Sequence, residues 1–163
     1  ENNALNKNPW VSASCIAQGD GSLGERLDRV YQNLRKQHPI VILLGGDCPQ
    51  MSANDLTGVI QKITVEKSDF ALGPSEDGGY WSFAGSKEVP SEVWLNVPYS
   101  CNKTYQVFWE QLEKTGTISR GKMHNDIDTA QDLSKLRESL QQNGESHPLF
   151  QGFPEDLLNP IKY

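Results

Sequence analysis

Apolar positions recur along the chain in blocks whose spacing alternates between extended and helical. Residues 10–17, WVSASCIA, read as a strand and run into the glycine-rich QGDGSLG. Ser22 then opens a helix. Glu25 stands at capping-box spacing, and Leu23, Leu27, Val30, Tyr31 and Leu34 share one face at a 3.6-residue period. After His38 and Pro39 comes IVILL, residues 40–44, a continuous apolar run that predicts a strand covered on both faces, as in a parallel sheet. Residues 52–62 predict the next helix, with Leu56, Val59, Ile60 and Ile63 inward. DFALG predicts a second short buried strand ending at Gly73 and Pro74. The turn SEDGG then leads into YWSFAG, where alternation puts Tyr80 and Ser82 on one face and Trp81 and Phe83 on the other. Residues 102–114 predict a helix with Tyr105, Phe108, Trp109 and Leu112 as its stripe. Thr129 and Asp132 repeat the capping-box spacing before a last helix carrying Leu133, Leu136 and Leu140. Strands alternating with helices predict one α/β domain over residues 1–142 with a largely parallel sheet. The Gly/Pro-rich residues 143–163 read as a tail packing on it.

Composition narrows the chemistry. The 163 residues are the usual size for one domain with a real core. A net charge of −6 without any Lys/Arg run argues against nucleic acid or an anionic membrane as partner. Cys15, Cys48 and Cys101 are odd in number and lack CxxC or Cys/His spacing, which argues against a disulfide framework or structural zinc. A reducing cytoplasm is the expected location. No apolar stretch approaches the roughly 20 residues of a membrane span.

The acids stand out by position. In open α/β sheets ligands bind beyond the carboxyl ends of the strands. Asp47 falls there, after Gly45 and Gly46, whose bare backbone permits close approach. Glu76 and Asp77 fall there too, before Gly78 and Gly79. A carboxylate at such a place suits a hard divalent cation; it equally suits a turn cap. Asp126 and Asp128, in NDIDTAQDL, are two apart, so in an extended segment they face the same way and could share a cation. Asp128 or Thr129 could instead cap the last helix. DIDT also echoes the DxDxT element of haloacid-dehalogenase-like phosphatases, but SRGKMHN precedes it in place of a buried strand, and the phosphatase reading is set aside. Gly19, Gly21 and Gly24 have GxGxxG spacing, yet no acid-ended strand about 20 residues later completes a dinucleotide fingerprint. The chain has no GxSxG, HxxxH or HExxH.

In order, QGDGSLGERL, VILLGGDCPQMSANDL, FALGPSEDGGYW and DIDTAQDL resemble a bacterial family of glycosyltransferase-A-like nucleotidyl- or glycosyl-transferases. That family is related to the phospholactate guanylyltransferases and to molybdenum-cofactor nucleotidyltransferases. The segment NVPYSCNKT is similar to the one the family places before its penultimate helix. The resemblance implies the nucleotide-diphospho-sugar transferase fold, a mixed, mostly parallel sheet between helices. It also implies Mg²⁺ or Mn²⁺ held by Asp47, with Asp126 or Asp128 as a second ligand. Asp77 would accept from a substrate hydroxyl on the acceptor side, with Glu76, Gly78 and Gly79 beside it. Gln18 and Arg26 match the family's glutamine-to-arginine segment; Arg26 would meet a phosphate, or pair with Glu25 or Asp28 on a solvated face. The implied partners are a nucleotide or nucleotide-sugar and a small-molecule acceptor.

The family's fold opens with a strand, a glycine-rich loop and a helix, which are not found in the nine residues before Trp10. The expectation is therefore an N-terminally shortened unit, its open edge covered by residues 149–163 or by a second copy in a homodimer. A non-catalytic binding or assembly module that keeps the fold is the competing expectation.

Overall fold

A computed structural model describes residues 15–46, 48 and 51–124. The expected last helix, the C-terminal tail, and Asp47, Asp126 and Asp128 lie outside these residues, as does most of the expected strand at residues 10–17. Its described end, residues 15–17, is irregular, and Ile16 is 51% exposed. No described strand pairs with it, and an extended segment without a pairing partner forms no ladder.

The elements run α1 (Leu23–Arg35), β1 (Val41–Leu44), α2 (Ala53–Thr64), β2 (Phe70–Pro74), β3 (Tyr80–Gly85), α3 (Ser91–Leu95), α4 (Thr104–Glu113) and β4 (Ile118–Arg120). Both capping boxes form. The Ser22 hydroxyl accepts from the Glu25 amide and the Glu25 carboxylate from the Ser22 amide, and Ser52 and Asp55 do the same for α2.

The sheet order is β1-β3-β2-β4, a mixed sheet in an α/β fold. β3 is antiparallel to both its neighbours, while β2 and β4 are parallel, so β1, β2 and β4 all point one way and β3 alone is reversed. The apolar run at residues 40–44 is explained by burial on two sides. Val41 and Leu43 enter one core, and Ile40 and Ile42 the other. Its direct partner is nevertheless the antiparallel β3, and its end is open, with Leu44 42% exposed.

Helices cover both faces. α1, α3 and α4 close the first over an aromatic core of Tyr31, Phe70, Phe83, Trp94 and Phe108. α2 closes the second over Val59, Ile63, Ala71, Trp81 and Ala84. Ile60, expected inward, is exposed, and Asp55 is buried on α2 instead.

Strict alternation fails in β3. Gly73 lies opposite Ser82 but Pro74 lies opposite Tyr80, so Trp81 is an extra residue, a β-bulge. The bulge sends Trp81 to the second core while Tyr80 and Phe83 pack in the first. The indole then lies over Gly73, where an added Cβ would stand 2.5 Å from its Nε1, and donates that N–H to the Lys122 carbonyl at 2.8 Å.

Candidate functional site

The carboxyl ends of β1 and β2 converge with the start of β3. Ser75 begins a tight turn, closed by the Gly78 amide donating to the Ser75 carbonyl at 3.2 Å and the Ser75 amide to the Gly79 carbonyl at 3.0 Å. Asp77 shapes it, its Oδ1 accepting from the Gly79 amide at 2.7 Å, an Asx-type contact. Gly78 has φ +90°, in the left-handed region, and a side chain there would collide with the Asn102 carbonyl. Its own carbonyl accepts from the Tyr105 amide at 2.8 Å, which ties the turn to α4.

Beside this turn opens a cleft of about 290 Å³. Its lining includes Gly45 at the end of β1, Asp77 and Gly79 from the turn, Leu23 and Leu27 from the start of α1, and Tyr80 from β3. The opposite wall is the connection before α4, with Tyr99, Ser100, Cys101 and Thr104. Three of the residues singled out from sequence, Gly45, Asp77 and Gly79, therefore share one cavity. Glu76 and Gly78 flank it in the turn, and Gly46 follows Gly45. Glu76 is exposed, and its amide donates to the His124 carbonyl at 3.1 Å.

Gln18 and Arg26 are not part of the lining. The Gln18 side of the glycine loop is pinned by Arg29, whose guanidinium donates to the Gln18 carbonyl and, at 3.1 Å, to that of Asp20. Arg26 is half-buried on α1. The acids it was expected to pair with have other partners as well: Glu25 accepts from the Ser22 amide at 2.7 Å, and Asp28 from Gln32 at 3.2 Å.

The α4-side wall was not chosen residue by residue from the sequence, although NVPYSCNKT pointed to the region. Ser100 has φ +59°, strained for a residue with a Cβ. It is held by the buried Thr104 hydroxyl, which lies 2.7 Å from the Pro98 carbonyl and 3.4 Å from the Cys101 amide. Tyr99 donates to the Trp94 carbonyl at 3.1 Å. Burial, with a contribution from its bond to Tyr99, raises the Tyr80 hydroxyl well above the ordinary range, and burial raises that of Tyr99. Both phenols stay neutral at physiological pH, so they offer ring surface and no charge. Asp77 is the carboxylate of the lining.

A second polar cluster lies on the α2 side of the sheet. Asp55 accepts from Ser52 and Lys122, and the His124 Nε2 stands 3.3 Å from its Oδ2. Burial alone would raise its pKa, but the hydrogen bonds from Ser52 and Lys122 outweigh it and hold the carboxyl at about 2. Its only sequence signal is the capping-box spacing, which says nothing about Lys122 or His124, 67 and 69 residues away. Among the described residues no group of three His, Cys, Asp or Glu is placed to hold a metal ion, and no helix is long and apolar enough to cross a membrane.

No curated protein matches the chain. Among solved structures, one from Desulfovibrio desulfuricans G20, named a "putative nucleotide-diphospho-sugar transferase", is similar with a TM-score of 0.66 and 23% sequence identity. The match covers 80% of this chain and 55% of that one, so the chain spans little more than half the length of that protein, and the likeness establishes the fold. Residues 2–101, more than half of the chain, match the DUF2064 family, and the chain therefore belongs to this family of uncharacterized proteins conserved in bacteria.

Proposed function

We propose that the protein is a transferase acting on a nucleotide or nucleotide-sugar donor, with Mg²⁺ or Mn²⁺ bound by Asp47 and by Asp126 or Asp128. The observation that carries this reading is the cleft at the carboxyl ends of the strands, where Gly45, Asp77 and Gly79 meet. The nucleotide-sugar transferase fold supports it, as does kinship of the motifs with nucleotidyltransferases. A set of carboxylates is the donor chemistry that hard divalent cations prefer. The cation, when bound, would neutralise charge on the donor's diphosphate.

The protein's own contribution is positional and electrostatic. Gly45 and Gly79 leave room for backbone approach, and Asp77 presents a carboxylate that can accept the proton of an acceptor hydroxyl as that oxygen attacks. Tyr80, Tyr99 and the leucines exclude water from one side of the cleft. Both nucleotidyl transfer and sugar transfer fit this arrangement. A reducing cytoplasm suits the three cysteines.

The test is calorimetric titration with a panel of nucleotides and nucleotide-sugars, with and without Mn²⁺. Asp47→Ala is expected to abolish metal-dependent binding, while Asp77→Asn keeps donor binding and loses at least about 100-fold in turnover, the scale of a lost general base. Unchanged metal-dependent binding in Asp47→Ala overturns the metal assignment. Donor binding by the wild type without turnover on any acceptor favours the non-catalytic module.

A further inference from the structure

We infer that Asp55 is a positioning residue: its buried carboxylate clamps the end of the β1–α2 connection to the segment that follows β4, and so fixes both segments that lead to the proposed metal ligands. The inference rests on the transferase reading for what the clamp serves; the clamp itself rests on geometry.

The two capping boxes differ in a way that capping does not explain. In α1 the acid of the box, Glu25, is exposed, and its carboxylate accepts from the Ser22 amide at 2.7 Å. In α2 the equivalent Asp55 is only 9% exposed. It accepts from the Ser52 amide at 3.0 Å, as a cap acid should, and also from the Ser52 hydroxyl at 2.7 Å. It then reaches across to Lys122 Nζ at 2.9 Å and His124 Nε2 at 3.3 Å. A helix cap needs neither of the last two contacts.

Those contacts tie the segment after β4 into the sheet. His124 stands edge-on to Trp81 with ring centroids 4.8 Å apart, and the Lys122 carbonyl accepts from the Trp81 indole. The His124 amide donates to the Pro74 carbonyl at 3.0 Å, and its carbonyl accepts from the Glu76 amide at the start of the cleft turn. One carboxylate thus joins the start of α2 to Lys122 and His124, which are themselves bound to the bulge of β3 and the end of β2. In the sequence, Asp47 lies five residues before Ser52, and Asp126 lies two after His124. Partners that orient metal-binding side chains from behind typically change metal affinity by about 10–100-fold when removed.

The test pairs Mn²⁺ titration with amide hydrogen exchange on the full chain. Asp55→Asn is expected to weaken Mn²⁺ binding by about 10–100-fold and to speed exchange both at the Met51 and Ser52 amides and in residues 121–124. Ser52→Ala, which breaks the cap but keeps Lys122 and His124 on Asp55, should speed exchange only in the first turn of α2 and leave Mn²⁺ affinity unchanged. Lys122→Met, at a side chain 67% exposed, should fold even where Asp55→Asn does not, and should speed exchange in residues 121–124. Unaltered exchange there in Asp55→Asn, or in Lys122→Met if the former fails to fold, overturns the clamp. So do equal losses of Mn²⁺ affinity in Ser52→Ala and Asp55→Asn, because Asp55 would then be a cap alone. If Asp55→Asn loosens both segments but the wild type binds no Mn²⁺, the clamp stands and the transferase reading falls.

Discussion

On one face of the sheet, Tyr31, Phe83, Trp94 and Phe108 fill the space beneath three helices with ring centroids 5.0 to 5.4 Å apart. On the other, α2 rests on Ala71, Ala84, the partly buried Ile40 and Ile42 and a single large ring, Trp81, and the margin of that core is a hydrogen-bonded carboxylate. The first face is closed by interlocked rings in edge-to-face and tilted contacts, stabilised mainly by the apolar area they bury. The second is closed by contacts with fixed partners. Polar contacts of that kind specify register between distant segments, which apolar packing of the same area does not. The aromatic face also supplies Tyr80 and Tyr99 to the lining of the cleft. The polar face holds Lys122 and His124, and the His124 carbonyl accepts from the Glu76 amide of the cleft turn.

The largest expected loss lies on the aromatic face. Phe83→Ala removes a fully buried ring that contacts four others and should cost about 3–5 kcal/mol. Urea denaturation monitored by circular dichroism would measure it, and a loss under 1 kcal/mol would mean that this core repacks freely.

Acid separates the faces more selectively. Asp55 is held at about 2 when folded, against an ordinary 3.8, so its stabilisation is fully present above about pH 4 and is lost as pH falls toward 2. A shift of that size corresponds to about 2 kcal/mol. Stability measured by denaturant titration between pH 5 and 2, in wild type and Asp55→Asn, should show a drop of that size present in the wild type and missing in the variant. Parallel curves would show that Asp55 carries no linkage.

The smallest effect sharpens the contrast between the two capping boxes. Ser22→Ala removes an exposed cap at the start of α1 and should cost about 1 kcal/mol. Thermal melts would register it, and the cleft-facing function should survive because Leu27 stays packed against the first core.

Much of the fold was legible because its signals are local. Capping boxes act over three residues and helical stripes over four, and both helices start where the sequence puts them, α1 after Ser22 from its capping-box spacing and α2 after Ser52 from its apolar stripe. The buried runs at β1 and β2 were equally plain, since a chain entering two cores at once must be apolar at every step. Glycines and acids clustered after those runs marked the cleft, and Gly45, Asp77 and Gly79 do line it.

Strand order, the reversal of β3 beside β1, and the bulge that sends Trp81 and Phe83 to opposite cores belong to the tertiary structure alone. So does the conversion of Asp55 from a cap acid, indistinguishable in sequence from Glu25, into a buried joint with Lys122 and His124. The physical reason is range. A capping box or an amphipathic stripe is satisfied within a single turn or two of helix, whereas a ladder, a bulge or a buried carboxylate is defined by groups that only the folded chain brings together.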